Sequence, residues 1–255
     1  LTVLTLSATG SEMNCGGVIS NEETKDKIGR LAKPLLPKVS FLDPTLTYSV
    51  SSYQTACGSA DIMSHILEVY FAPDSDLYML DCFMEGLMKT VIKYTPVALE
   101  NPCDYEARAN LMWASSWAIN TFVTGGKTHE WSCHPMEHEL SAIYDITHGL
   151  GLAILTPRFL KYCLNEHNVD RYVSFGVNVF DIDKTLDKME IAKLAIEKLS
   201  HFFFDTLALD DTFTKVGIKK EDFKIMAKKA CEDSVIDGFV KLNAQDIENI
   251  FEMCL

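Results

Sequence analysis

Asp61 and His65 stand four residues apart, and so do His134 and His138, with His148 fourteen positions beyond His134. Side chains four apart lie one above the other on a helix face. Each pair therefore works as a pair only if its segment is helical. Glu68 falls at i+3 from His65, on the same face. One carboxylate among several imidazoles suits a borderline divalent metal such as Zn²⁺ or Fe²⁺. The spacing thus predicts helices that hold one metal ion between them. Small residues flank both segments (Gly58, Ala60, Ser64; Ala142, Gly149, Gly151) and let helices approach closely. Taken singly, each of the seven histidines is accounted for by ordinary hydrogen bonding; the combination carries the reading. Glu68 reads either as a partner holding an imidazole in the right tautomer or as a solvated helix glutamate. His167, in a polar loop, and His201, beside Phe202, Phe203 and Phe204, read as structural. His129 precedes the second pair, at the mouth of a pocket. Cys133 is a soft donor next to His134, but its side chain points to another part of the helix surface.

The bulk properties exclude several classes of function. A net charge of −13 is opposite to the basic footprint that nucleic acids require, and it disfavours docking on anionic membranes. No apolar run approaches the roughly 18 residues that span a bilayer. Hydrophobic residues make up 47% of the 255 positions, enough for a sizeable core. The eight cysteines include no CxxC pair and read as reduced thiols of a cytoplasmic protein.

Residues 1–50 read as short strands and turns, with Leu1–Leu6, a turn into a strand at 15–21, a proline-bounded connector at 33–37 and a strand at 39–42. From about residue 51 the texture is helical. One helix is expected through Cys57, a second over Asp61–Phe71, and others over 77–94, 105–122, 134–144, 150–163, 185–204, 221–231 and 244–253. Pro157 is expected to disturb its helix. A chain that opens inside a strand without a start methionine reads as a piece of something longer.

Five stretches taken in order resemble the iron-containing alcohol dehydrogenases. They are Ala8-Thr9-Gly10-Ser11-Glu12; Phe41-Leu42-Asp43-Pro44; Gly58 through Asp61, His65, Glu68 and Tyr70; His134 through His138 to Ala142; and Asp145-Ile146-Thr147-His148-Gly149. Residues 131–157 and 175–180 resemble the butanol dehydrogenase branch in particular. The resemblance runs end to end. It implies a mainly α fold, with the helical metal-binding catalytic domain at 51–255 and a short β-containing remnant of the dinucleotide-binding domain at 1–50. The Gly-Gly-Gly-Ser phosphate loop of that domain has no counterpart in the chain. The resemblance also divides the five candidates: Asp61, His65, His134 and His148 as metal ligands, and His138 beside the nicotinamide as the proton-handling group. Thr5, Leu6, Ser7, Thr9, Val18, Lys27, Pro44, Leu46 and Tyr48 would face NAD(H) or NADP(H). A homodimer is implied as well.

The implied reaction interconverts short-chain primary alcohols and aldehydes. A divalent ion, Fe²⁺ or Zn²⁺, acts as Lewis acid on the substrate oxygen and the nicotinamide carries the hydride. Phe122, Trp131 and Leu152 are candidates for the wall against an aliphatic chain. Two alternatives stand beside this reading. One is a metal-dependent lyase on the same helical site, for which Lys127 and Arg158 are the only nearby basic residues. The other is a truncated, non-catalytic module for metal binding or oligomerisation.

Overall fold

The computed structural model describes residues 1–73, 77–128, 130–232 and 234–255. The helix that dominates the molecule is α1 (Ser52–Tyr70), capped by the Ser51 hydroxyl, which accepts from the Gln54 amide. From Thr55 onward every residue of α1 is buried, as expected of a helix surrounded on all sides. It is one helix and not the two runs expected from the sequence. Gly58 does not break it, because here the residue serves a close approach: a Cβ at that position would lie 2.6 Å from the Ser7 carbonyl oxygen.

Around α1 pack α2 (Tyr78–Glu100), α3 (Tyr105–Ala118) and, after the short α4 (Thr121–Thr124) and α5 (Cys133–Tyr144), helix α6 (His148–Cys163). Asn120 ends the run expected to reach residue 122 and caps α4 with its side chain. Helices α2 and α6 both continue through a proline, Pro96 and Pro157. In each a threonine precedes the proline, and its hydroxyl bonds to the carbonyl four residues back, Thr95 to Val91 and Thr156 to Leu152, both at 2.7 Å. These bonds hold the turn that the missing ladder bond weakens.

The second half adds α7 (Val169–Phe180), α8 (Lys188–His201), α9 (Phe223–Ala230) and α10 (Ala244–Glu252). The sequence pattern did not reveal α7, because its valines, phenylalanines and glycine favour other structure. Tertiary packing decides it: Gly176 brings α7 so close to α8 that an added Cβ would stand 3.0 Å from Ile191 and 3.1 Å from Ala195. Arg171 of α7 forks onto Asp81 at 2.6 and 2.7 Å and donates to the Tyr70 carbonyl, tying α7 to the end of α1. The expected helix over 185–204 ends at His201 and passes into a wider turn over Phe202–Thr206. His167 and His201 both lie exposed, and His201 pairs with Asp205. His129 lies outside the described residues.

The β content is small. Strand β1 (Thr2–Val3) runs parallel to β4 (Ser40–Phe41), so only two residues of the expected Leu1–Leu6 strand are paired. Strands β2 (Gly16–Asn21) and β3 (Asp26–Leu31) form an antiparallel hairpin that packs on α5. The partner strand β3 was not expected from the sequence, nor was the small hairpin of β5 (Ile236–Asp237) and β6 (Lys241–Leu242) inside the helical part. Among the described residues no helix is long and apolar enough to cross a membrane.

All eight cysteines are free thiols. Burial pushes Cys57 up to about 11 and Cys163 and Cys254 up to about 12, and only the thiolate reacts. Brief iodoacetamide treatment at mildly alkaline pH is therefore expected to label the exposed Cys82 and Cys103 first. The buried thiols should react only after denaturation, as peptide mass spectrometry would show. Early labelling of Cys163 or Cys254 would contradict this packing.

Candidate functional site

Three helices meet at Asp61. It sits on the buried face of α1 one turn before His65; α5 brings His134 and the first turn of α6 brings His148. Asp61 Oδ1 lies 3.5 Å from His65 Nε2, 3.7 Å from His148 Nε2 and 3.9 Å from His134 Nε2. The donor atoms of Asp61, His134 and His148 all fall within 4.8 Å of one another. Two donors bound about 2.1 Å from one ion at a tetrahedral angle stand roughly 3.4 Å apart, so this spread is close to what a single divalent ion draws together. Asp61 Oδ1 and His134 Nε2 are also buried without a hydrogen-bond partner among the described residues. Buried polar atoms are seldom left so, and these two point at the same small volume. Asp61, His134 and His148 fit a divalent metal, and His65 Nε2 adjoins them at 3.5 Å from Asp61 Oδ1.

Glu68 explains how α5 is positioned. The residue before that helix, Ser132, makes no side-chain cap. Instead Glu68 reaches across from α1 and accepts from the backbone N–H groups of Ser132, Cys133 (3.1 Å) and His134 (2.9 Å). A carboxylate there satisfies three otherwise orphan donors and meets the positive end of the helix dipole. The same carboxylate lies 2.6 Å from His134 Nδ1. With Glu68 accepting, the imidazole carries its proton on Nδ1 and presents a bare Nε2 toward Asp61. Burial works against a charged imidazole at His134, yet the Glu68 hydrogen bond raises it above its ordinary value. Burial likewise works against ionisation of Glu68, but His134 and the backbone donors hold its carboxyl below the usual range. Glu68 is thus no solvated helix glutamate.

A second buried carboxylate, Glu137, escaped the sequence reading. It contacts His148 Nδ1 and Lys27 Nζ (3.3 Å) through Oε2, and Ser141 Oγ donates to Oε1. The signal available was its place in the helix face, at i+3 from His134 and four before Ser141.

His65 is outside the group of mutually close donors formed by Asp61, His134 and His148, and His138 falls in a second one with Glu137 and His148. Burial drives both imidazoles down to about 4, so both are neutral at neutral pH. His65 Nδ1 finds no hydrogen-bond partner among the described residues; its ring stacks on His134 with centroids 4.8 Å apart. His138 is half-buried, 5.7 Å from His148 between ring centroids, and the hairpin passes over it at Gly29, where an added Cβ would stand 3.9 Å from its Cε1. Cys133 is buried, and its amide, not its thiol, meets Glu68.

The residues expected at the cofactor fall into two groups. Leu6 and Ser7 line a cavity of about 10 Å³ with Thr47 and with Thr55 and Ser59 of α1. Thr5, Leu6, Thr9 and Leu46 are exposed on this side, Ser7 and Tyr48 partly so, and Pro44 is buried. Val18 and Lys27 are on the hairpin, where Lys27 Nζ lies 3.4 Å from His148 Nδ1. Of the three apolar candidates, Trp131 packs edge-on against His65 and His134. Phe122 joins the rings of Phe83 and Trp117 instead, and Leu152 is buried in the core. Lys127 pairs with Asp81 and Arg158 donates to the Asp211 carbonyl.

The chain matches known proteins throughout. The description "Fe-containing alcohol dehydrogenase family, C-terminal" covers residues 55–255. NADH-dependent butanol dehydrogenase A of Clostridium acetobutylicum is 50% identical over 252 residues, which are 98% of this chain and 64% of that protein. The NADPH-dependent aldehyde reductase YqhD of Escherichia coli is 32% identical over 227 residues, 89% of this chain and 58% of that protein. The crystal structure of NADH-dependent butanol dehydrogenase A from Thermotoga maritima matches with a TM-score of 0.92 at 35% identity, over 99% of this chain and 65% of that one. The chain thus spans a little under two thirds of the length of these relatives. It belongs to the Fe-containing alcohol dehydrogenase family, in the butanol dehydrogenase branch.

Proposed function

We propose that the protein carrying this chain is a nicotinamide-dependent oxidoreductase that interconverts short-chain primary alcohols and aldehydes at one divalent ion. Asp61, His65, His134 and His148 would hold the ion. The observation that carries this reading is the convergence of three imidazole Nε2 atoms on Asp61 Oδ1 at 3.5–3.9 Å, with two of the four atoms left unpaired. The donor set accepts Fe²⁺ or Zn²⁺. NADH is the favoured cofactor because the relative at 50% identity is named for it.

When bound, the ion supplies Lewis acidity to an alcohol or aldehyde oxygen, and the nicotinamide gives or takes the hydride. The protein's part is to hold these groups and move the proton. Glu68 keeps the Nε2 lone pair of His134 aimed inward. Trp131, edge-on to His65 and His134, gives the site an apolar wall against an aliphatic chain. His138, neutral at neutral pH and only half-buried, can accept the alcohol proton and pass it to solvent. Thr5, Leu6, Ser7, Thr9, Pro44, Leu46 and Tyr48, with Val18 and Lys27 of the hairpin, would form the face toward the dinucleotide. We place the assembly as a homodimer on the family resemblance.

The purified protein is expected to bind one divalent ion per chain and to reduce butanal with NADH. Dialysis against a strong chelator should abolish turnover, and Fe²⁺ or Zn²⁺ should restore it. Full activity after complete removal of metal would defeat the reading.

A further inference from the structure

We propose that Glu137 is a positioning residue for His148, and that the β2–β3 hairpin acts through Lys27 and Glu137 to set how tightly that imidazole holds its ion. The inference rests on the metal reading above and goes beyond it by giving the hairpin a part in ion affinity.

Glu137 is fully buried, at 0% exposure, in a space shaped for it. An added Cβ at Gly151 would stand 2.8 Å from its Cγ and 3.1 Å from Oε1. Its two oxygens are engaged by groups from three places: Ser141 of the same helix, His148 at the start of α6, and Lys27 of β3. With Glu137 accepting, the His148 proton resides on Nδ1 and the Nε2 lone pair faces Asp61. A carboxylate on the far nitrogen also raises the basicity of the ligating one.

Lys27 is the second half of the argument. A buried carboxylate that loses its cation carries an uncompensated charge. The Lys27 ammonium, 3.3 Å from Oε2, supplies that compensation and comes from a different part of the chain. Its tether is reinforced nearby, where Lys229 of α9 bonds Asp26 at 2.8 Å and the Lys25 carbonyl at 2.8 Å and reaches Glu139 at 3.2 Å. The hairpin is thereby fixed to α5 and α9, and its one lysine at this point reaches the His148 partner.

The test uses Co²⁺ as a spectroscopic probe, with affinity measured by chelator competition. Glu137→Gln keeps the shape and removes the charge; it is expected to weaken Co²⁺ binding roughly 10- to 100-fold and to change the visible absorption bands of the bound ion. Lys27→Met should weaken binding less, and in the Glu137→Gln background it should add nothing, because it acts through that carboxylate. Glu85→Gln, which alters a buried carboxylate bonded to Tyr70 and Asn178, should leave affinity and spectrum unchanged. A purely structural role for Glu137 would lower the melting temperature without moving the bands. If the unaltered chain binds Co²⁺ while both variants keep its affinity and spectrum, the proposal is overturned and the metal reading stands. If the unaltered chain binds no divalent ion, the metal reading falls and the proposal with it. Should Glu137→Gln not fold, Lys27→Met decides alone: an unchanged affinity and spectrum in that variant overturns the proposal.

Discussion

Replacing His134 with alanine is expected to abolish the proposed ion binding, whereas replacing His138 with alanine, four residues along the same helix, should leave the ion bound and slow turnover of the full-length enzyme. The difference follows from where the two side chains sit. His134 Nε2 is a buried atom without a hydrogen-bond partner among the described residues, 3.9 Å from Asp61 Oδ1, on an imidazole whose other nitrogen is taken by Glu68. Its loss would remove one of the four proposed donors and should weaken binding by more than the roughly 10- to 100-fold that altering a ligand's neighbour costs. It also leaves the buried Glu68 carboxylate with backbone donors alone. His138 has no close contact with Asp61 and is half-buried beneath the hairpin. Removing a proton-handling group of this kind slows a reaction by about 100-fold or more. Elemental analysis after dialysis and steady-state rates read the two effects separately. Unchanged metal content in the His134 variant would sink the ligand assignment, and unchanged turnover in the His138 variant would sink its role.

A second large effect is expected from one methyl group at Gly149, next to His148 in the first turn of α6. A Cβ there would lie 2.6 Å from the carbonyl carbon of Cys57 and 3.1 Å from its Cα. Both are backbone atoms of α1, so no side chain can yield. The two helices must separate, and the separation moves His148 away from Asp61 and His65. Overpacking of this kind costs about 1–3 kcal/mol or more. Gly149→Ala should therefore lower the melting temperature by several degrees and weaken metal binding together. Gly86, exposed on α2 with nothing within 4 Å of a Cβ, provides the contrast. There the same substitution should stabilise by roughly 0.5–1 kcal/mol, because alanine loses less freedom in a helix. A Gly149→Ala protein with an unaltered melting curve would show that α1 and α6 are not in the contact described.

The small residues at that crossing were visible in the sequence, and so were the helical pairs and helices α2, α3, α5 and α6, whereas α1 was read as two runs and α4 was not seen. Residues with a fixed sequence spacing reveal which side chains share a face. They do not reveal what a face meets. The Glu68 cap on α5 joins residues 64 to 66 positions apart, and Lys27 lies 110 positions from Glu137. Neither contact leaves a periodic trace. Helix α7 was hidden for a related reason, since the close approach at Gly176 and not local preference makes that segment helical. At Gly58 the sequence showed a close approach but not its partner, which is the Ser7 backbone and not another helix.

Glu68 serves two structures at once. One carboxylate both caps the start of α5 and meets His134 Nδ1, so the seating of that helix and the orientation of that imidazole cannot be altered separately at this residue.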